Sequence, residues 1–205
     1  MTQTDTFRRA AAAFIDLVGV IRPEQWAEPA LGSWTVRDLV GHTGRAITTV
    51  ETYLSAAEPV AGSAATVDSA EEYYLQVFDG YTDHAAVAQR GVDAGRMLGA
   101  DPVATLTAAL ARSSALLDAV PAAQVVTIGA LSITLDQYLR TRIFELAVHG
   151  LDLAAATGHS LDAPASVLTD AAALAARVAC LRGDGAVVLF ALTGRDPLRD
   201  GFSIF

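Results

Sequence analysis

Apolar positions recur at helical spacing over most of this chain. Phe7, Ala11, Phe14, Leu17 and Val18 share one face and predict a first helix over residues 4–20. Pro23 and the segment Pro-Ala-Leu-Gly-Ser at 29–33 then mark a long turn. Thr35-Val-Arg-Asp38 has the form of a capping box with Asp in place of the usual Glu or Gln, and Trp34 stands where an apolar residue staples a helix start. The helix so opened is predicted from Val36 to Ala56, with Leu39, Val40, Ile47, Val50 and Leu54 inward. A link rich in Pro, Gly, Ser and Ala covers residues 58–66. Ser69-Ala-Glu-Glu72 opens a third helix, predicted to continue to Leu98 although Gly80, Gly91 and Gly95 weaken it. Asp101-Pro102 starts a fourth, with aspartate at the cap and proline at the first helical position, and it stops before Pro121.

Gln124 to Ile133 is β-branched around a central glycine and reads as a short hairpin. Thr134-Leu-Asp-Gln137 is a third capping box, opening a helix that ends at Gly158. An amphipathic helix follows from Pro164 to Arg182. Ala186–Leu192, AVVLFAL, reads as a strand, and the closing Phe-Ser-Ile-Phe as a second strand returning beside it. The expectation is a mainly α protein: a four-helix bundle with an additional helix and a small C-terminal β-hairpin. It divides into a helical bundle over 1–157 and an appendage over 158–205.

Composition narrows the function. Hydrophobic residues make up 52% and charged residues 18% of 205 positions, ample for a core. A net charge of −9 with no basic run argues against nucleic-acid binding. No apolar run is long enough to span a bilayer and no signal peptide is evident, so a cytoplasmic protein is expected. All 14 basic residues are arginine, which excludes Schiff-base chemistry on a lysine of this chain. The single cysteine, Cys180, excludes an internal disulfide and a cysteine-based zinc knuckle, and its apolar helix predicts an inert core residue.

Candidate chemistry lies in the stretch Thr134 to Thr157, which reads as one helix. Glu145 and His149 stand four residues apart, hence on one helix face, inside a stripe holding Leu139, Ile143, Leu146 and Leu153. A carboxylate on an inward face is costly unless paired, and a divalent metal would take up its charge and its lone pairs. His42, on the second helix, is the candidate third ligand. Three such ligands leave zinc one open position, as in catalytic sites. The alternative is that Glu145 pairs with Arg140 or Arg142 and that the histidines are ordinary partly buried residues. Asp152, three residues after His149, is either a group that orients the imidazole or a surface carboxylate. Arg45, one turn after His42, either meets an anionic substrate or lies on the surface. His84 and His159 read as solvated, and Trp26 and Trp34 as packing residues.

Two segments carry a resemblance. Gly-Ser-Trp-Thr-Val-Arg-Asp-Leu-Val-Gly-His at 32–42 and Glu-Leu-Ala-Val-His-Gly-Leu-Asp at 145–152 resemble the hallmark segments of the mycothiol-dependent maleylpyruvate isomerase N-terminal family, within the DinB/YfiT-like metalloproteins. Ala191-Leu-Thr-Gly-Arg195 resembles the tail of many members. The resemblance implies a DinB-like bundle with a divalent metal, usually zinc, on His42, Glu145 and His149, and mycothiol as a thiol cosubstrate. It implies a transferase or isomerase acting on a small electrophile. The short C-terminal part departs from the isomerases, which carry a larger α/β domain, and so argues against maleylpyruvate itself as substrate. A non-catalytic, metal-stabilised bundle binding a small molecule or protein is the alternative. A homodimer, paired through the edge of the terminal hairpin, is a further expectation.

Overall fold

A computed structural model describes residues 1–56, 64–79 and 83–204, without the side chains of Ala56, Phe78, Asp79 and His84. Its elements are α1 (Gln3–Gly19), a 3-10 turn (Pro23–Ala27), β1 (Pro29–Leu31), β2 (Trp34–Thr35), α2 (Val36–Ala56), α3 (Ala70–Asp79), α4 (His84–Met97), α5 (Pro102–Ala119), β3 (Val125–Ile128), β4 (Leu131–Thr134), α6 (Leu135–Thr157), α7 (Ala165–Leu181) and α8 (Gly185–Leu192). The expected mainly helical fold is what forms. Most of the predicted link at 58–66 lies outside the described residues.

The helices start where short polar side chains replace the missing intrahelical acceptors. Thr35 and Asp38 form the reciprocal box, Thr35 N–H donating to Asp38 Oδ2 at 3.0 Å and Asp38 N–H to Thr35 Oγ1 at 3.3 Å. Asp101 Oδ1 accepts from Ala104 N–H at 2.9 Å, and Ser69 Oγ from Glu72 N–H at 3.1 Å. The box expected at Thr134 does not form. Its side chain makes no capping bond, and the first amides of α6 donate instead to the carbonyls of Gln124 and Ala122. The β3–β4 hairpin thus does the capping. At the far end Gly158 adopts φ 69°, a left-handed cap.

Helices α1 and α2 each pack against both α5 and α6, which closes a four-helix ring, with α4 laid on α2 and α7 on α1, α3 and α6. Phe7, Phe14, Leu39, Ile47, Leu106, Tyr138, Ile143 and Leu153 fill the ring, each nearly fully buried. Leu174 and Val178 of α7 join the same core. Helix α3 is tied to α6 by Glu71, only 5% exposed, which accepts from Arg140 Nη1 at 2.9 Å and Nη2 at 2.7 Å. Arg177 of α7 stands 3.6 Å away. Burial opposes ionisation of Glu71, but the hydrogen bonds from Arg140 outweigh it and hold its pKa below the ordinary value. Arg140→Ala is therefore expected to cost about 3 kcal/mol in urea unfolding, because a buried carboxylate loses its bidentate partner. A change within experimental error would show that water or Arg177 fully replaces the bond.

Three expectations are corrected. The segment 69–98 is two helices, α3 and α4, rather than one. Residues 29–35 are not an open turn: β1 and β2 pair antiparallel around Gly32, whose φ of 57° suits a residue without Cβ. The C-terminal β-hairpin is absent among the described residues. AVVLFAL is helix α8, and Phe202 to Ile204 form no strand, so the edge through which a homodimer was expected does not exist. An unbroken apolar run carries no period that separates helix from strand.

Candidate metal centre

The site sits where α2, α3 and α6 meet, with β2 at its rim. His42 comes from the second turn of α2, Glu145 and His149 from consecutive turns of α6. One donor atom from each lies within 4.8 Å of the others. Both imidazoles turn their Nε2 toward the same carboxylate oxygen: His149 Nε2 is 3.4 Å from Glu145 Oε2 and His42 Nε2 is 3.9 Å from it. Donors at about 2.0–2.1 Å around a tetrahedral zinc stand roughly 3.3 Å apart, so a small inward movement of the side chains would let the three atoms hold one ion. The donor set, two imidazoles and a carboxylate, suits a borderline divalent metal.

What orients each donor is also visible. The Tyr74 hydroxyl of α3 donates to Glu145 Oε1 at 2.8 Å, which occupies that oxygen and leaves Oε2 to face the imidazoles. Asp152 Oδ2 lies 3.0 Å from His149 Nδ1, the carboxylate–histidine arrangement that fixes a ligand's ring and tautomer. His42 is held differently. Its Nδ1 is buried with no hydrogen-bond partner among the described residues, and its ring lies 4.4 Å from the Trp34 ring at an interplanar angle of 32°. Trp34 is itself anchored by its indole N–H, which donates to the Ala88 carbonyl of α4 at 3.0 Å.

The electrostatics follow. Burial and the neighbouring His149 push the His42 imidazole down to about 4, which favours its neutral form at ordinary pH. Burial also works against charge on His149, but hydrogen bonds to Asp152 and Glu145 prevail and push it up to about 9. For Glu145, burial is opposed by the bond from His149 and the charge of Arg142, and its carboxyl is held at about 2. Neither arginine forms an ion pair with Glu145 among the described residues: Arg140 pairs with Glu71 instead, and Arg142 acts on Glu145 by its charge.

A cavity of about 390 Å³ opens over these groups. Arg45, Arg90 and Arg142 line it together with Tyr73, Tyr74 and Trp34. None of the three arginines pairs with a carboxylate among the described residues. Arg142 donates to Thr141 Oγ1 at 3.0 Å and lies 5.0 Å over the Tyr138 ring. In a chain with 23 acidic residues, three unpaired cations around one cavity favour an anionic guest.

Sequence reasoning did not single out Tyr74, Arg90 or Arg142 as site residues. Arg142 carried the one usable signal, an arginine a turn before Glu145. Arg45 lines the cavity rather than lying on open surface. Trp34 combines packing with contact to a candidate ligand. His159 is half-buried, its Nε2 3.4 Å from Gln25 Oε1, and the side chain of His84 lies outside the description. Cys180 is exposed rather than an inert core residue.

No helix of the described residues is long and apolar enough to cross a membrane. No curated protein and no solved structure matches the chain. The family described as mycothiol maleylpyruvate isomerase N-terminal domain matches residues 7–154. That span runs from within α1 to near the end of α6 and includes all three of His42, Glu145 and His149, so the chain belongs to the mycothiol maleylpyruvate isomerase N-terminal domain family.

Proposed function

We propose that the chain is a divalent-metal enzyme of thiol chemistry, with His42, Glu145 and His149 holding zinc and with mycothiol as the thiol cosubstrate. The reaction is a transfer or an isomerisation on a small electrophile. The observation that carries the reading is the convergence of two imidazole nitrogens on one carboxylate oxygen, while Tyr74 occupies the other. When bound, a metal of this kind supplies Lewis acidity that lowers the pKa of a coordinated thiol or water.

The remaining roles belong to the chain. Asp152 keeps the His149 ring turned with Nε2 inward. Tyr74 holds Glu145 in an orientation that offers one oxygen. Trp34 and Phe144 wall the cavity against bulk water, and Arg45, Arg90 and Arg142 face an anionic group on the electrophile or an oxygen that gains charge as it reacts. The protein need not provide its own nucleophile.

Thermal unfolding with zinc, mycothiol and both together tests the reading. Each ligand at a hundredfold excess over its Kd should add about 2.7 kcal/mol, or roughly 5–10 °C in a domain of this size. A rise with zinc alone, none with mycothiol, and no thiol consumption would leave a metal-stabilised binding bundle instead. The pH dependence is a further check. With His149 pushed up to about 9, a metal must displace its proton at neutral pH, whereas His42, at about 4, has none to give. Apparent metal affinity should therefore rise about tenfold per pH unit from 6.5 to 9 and then level off. A flat profile by calorimetry over that range would show that His149 is not a ligand.

A further inference from the structure

Helix α8 is apolar all round: Gly-Ala-Val-Val-Leu-Phe-Ala-Leu has no polar side chain. A helix of that kind is ordinarily found inside a protein. Here it has no buried residue. Val187, Leu189, Phe190 and Leu192 are 42%, 59%, 49% and 76% exposed, and Leu181 and Leu198, close to the helix in the chain, 61% and 45%. At ordinary residue areas these six residues together expose on the order of 600 Å², against the roughly 800 Å² that each partner contributes to a stable interface.

The charges around the helix say what kind of partner fits. Residues 182–200 hold three arginines (Arg182, Arg195, Arg199) and three aspartates (Asp184, Asp196, Asp200), so this segment is neutral while the rest of the chain carries the whole −9. Arg195, Arg199, Asp196 and Asp200 are exposed, alternate in sign within six positions, and form no ion pair within the described chain. A two-fold interface places the same patch on both sides, so each arginine of one copy can meet an aspartate of the other. A strongly acidic chain would approach its own copy without repulsion only through such a neutral face. A lipid surface has no use for the exposed aspartates.

We propose that α8 and the turn after it form the interface of a homodimer, sealed by the apolar helix and keyed by its rim of unpaired opposite charges. This interface is separate from the metal cavity and independent of the reaction assigned to it.

Sedimentation equilibrium of the full chain, from micromolar to hundred-micromolar concentration, reads the outcome. The wild-type chain should have about twice its 21.3 kDa mass, and Leu189→Asp/Leu192→Asp should weaken association by about a hundredfold or more. The far-ultraviolet spectrum and melting of that variant as a monomer should resemble those of the parent, because neither side chain is buried. Asp196→Arg/Asp200→Arg and Arg195→Asp/Arg199→Asp should each associate more weakly alone and recover the dimer when mixed. The proposal is overturned if the wild type stays monomeric throughout, including the case in which it binds neutral or anionic vesicles instead. It is equally overturned if the leucine variant still dimerises, or if the mixed charge variants fail to pair.

Discussion

Replacing His149 by alanine is expected to leave the purified chain without stoichiometric metal, and His42→Ala to do the same. Each removes one of the three proposed donors, so the loss should exceed the 10–100-fold in affinity that outer-sphere partners typically carry. Asp152→Asn provides the comparison. It keeps the imidazole but replaces the carboxylate at 3.0 Å from Nδ1, so affinity should fall within about 10–100-fold while one metal still binds at saturation. Helical content should survive in all three variants, since these side chains lie at the edge of the bundle and the ring is filled by Phe14, Ile47, Tyr138 and their neighbours. Elemental analysis after dialysis, with circular dichroism on the same samples, reads both. One metal per chain in His42→Ala or His149→Ala would dismiss the ligand assignment.

The second large effect concerns a residue with no side chain. A Cβ built at Gly41 would stand 2.1 Å from the Gly95 nitrogen and 2.5 Å from the Ala94 carbonyl carbon. Helices α2 and α4 touch there backbone to backbone. Helix propensity alone says that Gly41→Ala stabilises, by up to about 1 kcal/mol. The contact says the reverse, because neither backbone can yield without moving a helix, and the cost should be about 3 kcal/mol. Moving α4 also shifts the Ala88 carbonyl that holds Trp34, and with it the ring against His42. Gly41→Ala should therefore lose both unfolding free energy and metal affinity. A variant as stable as the parent in chemical denaturation would mean that the two helices do not approach this closely.

These two cases mark the line between local and tertiary information. The helices α1, α2, α5, α6 and α7 were legible because their apolar stripes repeat at the helical period and because Thr35, Asp38, Ser69, Asp101 and Gly158 carry the chemistry of helix ends. The Glu145–His149 pair was legible for a related reason: residues four apart on a helix share a face whatever surrounds them. Its third member was not a local property. Spacing left His42 a candidate, and the family resemblance of the two segments singled it out.

Other features had no local signature at all. Gly91 and Gly95 read as weak points of a helix, yet a Cβ at Gly91 would lie 2.6 Å from the Trp34 indole, and Gly95 is where α2 crosses. Their absence of side chain is a packing requirement that only the neighbouring element reveals. Tyr74 looked like one more aromatic in α3, and its bond to Glu145 spans 71 positions. Arg45, Arg90 and Arg142 became one cationic wall only when α2, α4 and α6 were brought together. AVVLFAL, expected as a strand, is a helix, because a run without polar positions has no phase and helix or strand was decided by the chain around it. The sequence by itself determined α1, α2, α5, α6 and α7, most of their ends and the carboxylate–imidazole pair, since each depends on residues within a turn or two. Tertiary structure alone decided what faces that pair, because the free energy of meeting across the core belongs to neither partner's local sequence.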